Sequence, residues 1–146
     1  MKKLVLFLVL CLCFWSGNAQ NARNVTIEGS ERRIALVIGN DNYNIDRMKL
    51  TQSKKDADLM VVALKRCNFD IVYCANATRA AMYQKLGEFA KKLPNYDVAL
   101  VYYSGHGAVL NGAQYMLPID VQSPYDFEGG GETEFEGSAI DRKSVV

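Results

Sequence analysis

A run of six apolar residues, Val98 to Tyr103, constrains the fold of this chain more than any other segment. Its lack of polar alternation is typical of a strand that is covered on both faces in a parallel sheet. In open parallel sheets, ligands and catalytic groups collect just beyond the carboxyl ends of the strands. The single histidine of the chain, His106, follows the run at that position. Gly105 and Gly107 flank it, and we expect both glycines to let a substrate backbone come close.

The segments before this run alternate between strand and helix patterns. Residues 33–39 and 69–74 form two further apolar runs, the first of which ends in a cluster of turn residues. Stretches with apolar residues at helical spacing separate the runs. We expect Ser53 to cap the first helix, with Asp56 completing a capping box, and Thr78 to cap the second. The order β-α-β-α-β predicts an α/β fold: a doubly wound, mainly parallel sheet with helices on both faces.

Beyond the histidine the pattern weakens. Pro118 limits residues 115–120 to an edge strand or an extended stretch. Residues 123–138 combine three consecutive glycines with an excess of acidic residues, which predicts a solvated loop. Residues 140–146 suggest the start of another helix. With 146 residues in total, the chain has room for one domain.

The amino-terminal segment, residues 1–19, differs in composition from the rest. Two lysines precede about a dozen apolar residues and a small polar stretch, which is the pattern of a secretory signal peptide. A spanning helix would need about 20 apolar residues. We expect cleavage after Ala19, leaving residues 20–31 as a loose arm and residues 32–146 as the domain. The product would be exported to the periplasm or secreted, with no membrane association.

The charge balance argues against two classes of partner. Loss of the two leader lysines lowers the formal net charge from +1 to −1. Neither value favours nucleic acid or an anionic membrane surface as a partner. The sequence carries no indication of the oligomeric state.

Several of these segments together resemble the p20 domain of caspase-like peptidases, in particular the bacterial metacaspases. The resemblance covers residues 32–142, and it implies a doubly wound α/β sheet and cysteine endopeptidase chemistry on protein or peptide substrates, without an organic cofactor. Calcium activates some metacaspases, but the sequence specifies no metal site. The resemblance is carried by Ala35–Asn40, Asp56 with Ala57, the turn at residues 76–78, Tyr102–Gly107 and Tyr115–Asp120.

The resemblance also implies roles for four residues. His106 matches the catalytic histidine, which activates a cysteine thiol and then protonates the leaving amine. Gly107 matches the glycine whose backbone N–H stabilises the tetrahedral oxyanion together with the N–H of the nucleophile. Ser104 and Asp56 match positions that line the pocket for the substrate residue before the cut, where an acid favours Arg or Lys over Asp.

Each of these residues also has a structural interpretation. His106 fits a turn histidine whose ring is satisfied by hydrogen bonds. Asp56 fits a carboxylate that is stabilised by the dipole of its helix. Ser104 fits an ordinary hydroxyl at the end of a strand.

The nucleophile that the resemblance implies is missing from these residues. In the family it follows a later strand in an Asp-x-Cys sequence, so we expect a domain that is incomplete at its carboxyl terminus and a Cys-His dyad whose cysteine lies beyond this chain. Cys74 is no substitute, because two strand spacings of about 4.8 Å would separate it from the third strand. Cys67 would lie at the opposite end of the sheet.

Two alternatives to a peptidase remain. A non-catalytic caspase-like binding or regulatory module would keep the cleft and lack the nucleophile. An unrelated nucleotide-binding protein is disfavoured, because residues 38–43 contain neither a G-x-G-x-x-G sequence nor a Walker lysine. By itself the chain would leave Val98 to Tyr103 as an unprotected apolar edge, so we expect it to be poorly soluble and inactive.

Overall fold

Three parallel strands with two crossover helices form the main part of the molecule. The computed structural model describes residues 31–122, 139–141 and 143, so the predicted signal peptide, nearly all of the predicted arm and the predicted acidic loop lie outside the described residues. The elements are β1 (Arg33–Gly39), α1 (Ser53–Arg66), β2 (Phe69–Ala75), α2 (Arg79–Lys92) and β3 (Val98–Ser104). The strand order in the sheet is β2-β1-β3.

The central strand β1 divides the core into two layers. Its residues Ile34 to Ile38 are all 0% exposed. Side chains on one face, among them Ile38, pack with Met82 of α2, whereas Val37 on the other face packs with Ala57 of α1. The helices therefore cover opposite faces of the sheet, which confirms the predicted α/β architecture.

Strand β3 lies at the edge of the sheet, and this limits its burial. Its side chains contribute to both core layers, Val101 on the α2 side and Leu100 on the α1 side, so both faces are covered as predicted. Every residue of β3 is nevertheless only half-buried. The reason is that no strand of the described part of the chain pairs with its outer side.

A small antiparallel sheet, β4-β5-β6, follows β3 directly. Its strands are β4 (Gly107–Leu110), β5 (Ala113–Met116) and β6 (Ile140–Asp141). Of the two alternatives for residues 115–120, the edge strand was wrong for the part within β5, because β5 is the middle strand and Pro118 comes after its end. The helix expected from residue 140 was also wrong for β6, which pairs with β5.

The hairpin between β4 and β5 was missed, although its turn has a strong sequence signal. Asn111 and Gly112 have φ angles of 48° and 78°. An Asn-Gly pair with positive φ at both residues is the preferred two-residue hairpin turn, because its twist matches that of the strands.

The two helices begin differently from one another. Thr78 caps α2 as predicted, and its side chain accepts a hydrogen bond from the Ala81 N–H at 3.3 Å. The capping box predicted for α1 was wrong, because Gln52 occupies the N-cap and makes no side-chain cap. The carboxylate of Asp41 instead accepts a hydrogen bond from the Lys54 N–H at 3.2 Å. It thereby pairs one of the backbone N–H groups that an N-cap side chain would normally pair.

No helix of the described residues is long and apolar enough to cross a membrane.

Candidate active site

The candidate site lies where β1 and β3 end side by side. Gly39 pairs with Ser104 in the parallel register, so the loops after the two strands emerge together. The Asn40 N–H donates to the Ser104 carbonyl oxygen at 2.9 Å and extends this contact by one residue. His106 follows immediately on the β3 side, at the sheet edge where the sequence predicted it.

The buried side chain of Asn40 connects three segments around this edge. It is 0% exposed. Its Nδ2 donates to the Leu117 carbonyl oxygen at 3.1 Å, and its Oδ1 accepts the Ala77 N–H at 2.9 Å. The amide thereby joins the end of β1 to the turn after β2 and to the segment after β5. Sequence analysis did not single out this residue.

The imidazole of His106 is held by the loop that follows β1. Its Nε2 lies 2.8 Å from the carbonyl oxygen of Met48. A carbonyl oxygen only accepts, so Nε2 carries the proton and Nδ1 is the basic nitrogen of the neutral ring. The residue is half-buried, and its ring centroid lies 4.8 Å from that of Tyr43. His106 is therefore oriented by hydrogen bonding without being sealed inside the core.

Two tyrosine hydroxyls hold the backbone of the same residue. The His106 N–H donates to the Tyr43 hydroxyl at 2.8 Å, and the His106 carbonyl oxygen accepts from the Tyr103 hydroxyl at 2.7 Å. The two hydroxyl oxygens are 3.2 Å apart. Burial raises the pKa of both tyrosines, so both stay protonated at neutral pH. Sequence analysis missed these contacts, although buried tyrosines usually find a partner for the hydroxyl.

Of the two glycines beside His106, Gly105 has a steric reason to be glycine and Gly107 has none. A Cβ at Gly105 would lie 2.5 Å from the Tyr103 hydroxyl oxygen and 2.8 Å from that of Tyr43. The two tyrosine hydroxyls therefore explain why residue 105 is a glycine. We had predicted that this glycine makes room for a substrate backbone, and the contacts give a structural reason for it instead. A Cβ at Gly107 would meet only the Tyr115 carbonyl oxygen at 3.4 Å, which is an ordinary contact.

The N–H of Gly107 is directed away from β5. Gly107 lies opposite Met116, and the Leu117 N–H donates to the His106 carbonyl oxygen in the adjacent pair. Hydrogen-bonded and non-hydrogen-bonded pairs alternate in an antiparallel ladder, so the Gly107 pair is of the second type. Within the described residues, β4 has no strand on its other side. The geometry thus leaves this N–H available as a donor beside the imidazole.

The other two predicted site residues lie near the same edge. Ser104 is half-buried at the end of β3. Asp56 is exposed on the first turn of α1, next to Ala57, whose Cβ would be 2.6 Å from a Cβ at Gly39. The first turn of α1 therefore packs against the residue that pairs with Ser104.

Neither cysteine of the described part of the chain is placed beside His106. Cys74 pairs with Ile38, which in turn pairs with Tyr103, so two strand spacings, about 10 Å, separate Cys74 from β3. Burial raises the pKa of the Cys74 thiol to about 11. The Cys67 carbonyl accepts a hydrogen bond from Arg33, at the opposite end of the sheet. The described residues also contain no group of three or more His, Cys, Asp or Glu side chains that could hold a metal ion.

Comparison with known proteins identifies the family to which the chain is related. The sequence profile of the caspase domain family matches residues 32–133. The chain is 30% identical over 113 residues to the mucosa-associated lymphoid tissue lymphoma translocation protein 1 of Homo sapiens, which covers 77% of this chain and 14% of that protein. The homologous protein of Mus musculus is 29% identical over 112 residues, covering 77% of this chain and 13% of the relative. The chain thus spans only a small part of the relatives' length, whereas the family profile covers most of the chain: it belongs to the caspase domain family of peptidases.

Proposed function

We propose that this domain is part of a cysteine endopeptidase in which His106 works with a cysteine from outside the described residues. The observation that carries the proposal is the 2.8 Å contact between His106 Nε2 and the Met48 carbonyl oxygen. It holds the ring in the tautomer that leaves Nδ1 unprotonated, and a base next to a thiol requires one unprotonated ring nitrogen.

The proposed reaction uses the imidazole twice. Nδ1 takes the proton of the thiol, and the thiolate attacks the carbonyl carbon of the scissile peptide bond. The Gly107 N–H donates to the oxyanion that forms on the carbonyl oxygen. The tetrahedral intermediate collapses as Nδ1–H protonates the leaving amine. Water, deprotonated by the same nitrogen, then releases the acyl group and regenerates the thiol.

No strand of the described residues pairs with the outer side of β3, and this side supports a position for the cysteine sulfur. A strand that paired there would lie about 4.8 Å from β3. If it ran parallel to β3, its carboxyl end would come next to His106, where parallel sheets collect their functional groups. A cysteine at the end of such a strand would complete the dyad.

The proposed cleavage preference is for Arg or Lys before the cut. It is supported by Asp56 on the first turn of α1 and Ser104 at the end of β3, which flank the same strand end. A carboxylate would stabilise a substrate cation that loses part of its hydration in the pocket.

Peptide hydrolysis by the full polypeptide that the gene encodes tests the proposal. We expect turnover of fluorogenic peptides that end in Arg or Lys, and little turnover of those that end in Asp. His106→Ala should abolish turnover, whereas the control Lys91→Ala, at an exposed residue of α2, should not change it. Asp56→Asn should raise KM for the basic peptides. Equal activity of His106→Ala and wild type would overturn the proposed role of His106.

The second candidate is a non-catalytic module that binds peptides in the same cleft. The observation that favours it is the distance of Cys74 from β3, together with its raised pKa. The assay separates the two functions. A module would bind an Arg-terminated peptide in a fluorescence anisotropy titration and leave it intact, whereas a peptidase would cleave it.

A further inference from the structure

The peptide group that joins His106 to Gly107 is held firmly from its oxygen side. The His106 carbonyl oxygen accepts hydrogen bonds from the Tyr103 hydroxyl at 2.7 Å and from the Leu117 N–H at 3.0 Å. Two donors match the two lone pairs of this oxygen. A trans peptide is planar, with its N–H antiparallel to its C=O, and the described residues contain no cis peptide bond. Fixing the oxygen therefore fixes the direction of the Gly107 N–H.

We infer that Tyr103 is a positioning residue for the oxyanion donor, whose hydroxyl orients and polarises the peptide group that carries the Gly107 N–H. The inference rests on the proposed function and adds a residue to it. Tyr103 acts through the backbone, since its hydroxyl contacts the oxygen of the peptide group and the substrate would meet the N–H on the opposite side. A donor to the oxygen strengthens the N–H as a hydrogen-bond donor, because linked hydrogen bonds polarise one another.

The distances around the Tyr103 and Tyr43 hydroxyls are consistent with donation of the single Tyr103 hydroxyl proton to the His106 carbonyl oxygen. Tyr103 lies closer to the His106 carbonyl oxygen, at 2.7 Å, than to that of Leu117, at 2.9 Å. The Tyr43 hydroxyl lies 3.2 Å from the Leu117 oxygen and can donate to it while accepting the His106 N–H. Every donor then has an acceptor. Burial also raises the pKa of Tyr103, which keeps its proton in place across the neutral range.

The test is Tyr103→Phe in the full polypeptide that the gene encodes, assayed with an Arg-terminated fluorogenic peptide. Loss of an oxyanion donor costs about 10²–10³ in kcat, so loss of a group that positions the donor should cost less, about 10-fold, with KM unchanged. Alkylation of the nucleophile by iodoacetamide is the second readout. Displacement of iodide by the thiolate forms no oxyanion, so its rate should equal that of the wild type.

Tyr102→Phe provides a matched control. Tyr102 is the preceding residue of the same strand, its ring packs on the α1 side, and its hydroxyl makes no hydrogen bond to the described residues. We expect wild-type kcat, KM and alkylation rate. Gly105→Ala is a second variant at the site, because its Cβ would lie 2.5 Å from the Tyr103 hydroxyl oxygen and 2.8 Å from that of Tyr43 and would displace both hydroxyls. It should therefore lower kcat at least as much as Tyr103→Phe.

The outcomes separate this inference from the proposed function. Equal kcat in Tyr103→Phe and Tyr102→Phe would overturn the inference and leave the peptidase standing. A parallel loss of kcat and alkylation rate in Tyr103→Phe would also overturn the inference, because the tyrosine would then act on His106 or on the fold. Absence of turnover dependent on His106 in the wild type would overturn the proposed function and the inference together.

Discussion

Nε2 of His106 lies 2.8 Å from the carbonyl oxygen of Met48, although 58 residues separate the two in the sequence. Met48 ends a short 3₁₀ turn in the loop between β1 and α1, whereas His106 follows β3. The contact makes one loop responsible for the orientation of an imidazole that another loop supplies.

The tautomer of His106 is directly measurable. We expect Nε2 to be protonated and Nδ1 to be unprotonated in the neutral ring, because a carbonyl oxygen faces Nε2. Nitrogen-15 chemical shifts of the neutral ring report this assignment, and an unfolded sample serves as the reference. A proton on Nδ1 would contradict the proposed role of that nitrogen as the base.

Replacement of Asn40 should destabilise the fold strongly. Asn40→Leu leaves the Ala77 N–H without its partner in a buried site, whereas the Leu117 carbonyl oxygen loses Asn40 but keeps the tyrosine hydroxyls. We expect the free energy of unfolding to fall by about 1–3 kcal/mol, measured by urea denaturation. Asn42→Leu is the control, because Asn42 is exposed, and it should stay close to the wild type. Equal effects of the two changes would refute this account of Asn40.

Alkaline pH should weaken the fold through Cys74. Burial raises the pKa of its thiol from 9.0 to about 11, so the folded state holds this proton more tightly than the unfolded state. The associated stability is fully present below pH 9.0 and is lost as the pH rises towards 11. Urea denaturation at several pH values should show a shallower decline from pH 9 to 11 in Cys74→Ala than in Cys67→Ala. Identical slopes would contradict the shift.

The leader should be removed on export. We expect the exported protein to begin at Gln20, as determined by intact mass and amino-terminal sequencing. Ala19→Arg places a large charged residue before the cleavage point and should block processing, whereas Gln20→Ala should leave it intact. An exported protein that retains Met1 would refute the predicted signal peptide.

The 146-residue chain alone should be poorly soluble and inactive on Arg- and Lys-terminated peptides. No strand of the described residues pairs with the outer side of β3, and an unpaired apolar edge promotes association between molecules. Sedimentation and the fluorogenic assay measure the two properties. A soluble monomer that unfolds cooperatively would favour the binding module, and turnover that His106→Ala abolishes would show that the sulfur is already present.

The sequence predicted the parallel sheet and its helices because apolar periodicity depends on which faces are buried, and β1 and α2 follow that rule closely. The hairpin after β3 could also have been predicted, since Asn111 and Gly112 form its turn. The contacts of His106 could not have been predicted from the sequence. Its bonds to Met48 and Tyr43 depend on the path of a loop with no periodic pattern, so nothing local in the sequence indicates them.

The anchoring of His106 has a consequence for how this protein tolerates insertions. Exposed loops ordinarily accept additional residues with little effect. Residues 41–50 run along the surface, yet lengthening them would shift the Met48 carbonyl and release the imidazole. A library of short insertions should therefore find this loop intolerant for activity while expression and folding persist, because its Met48 carbonyl and Tyr43 hydroxyl contribute only by holding His106 in place.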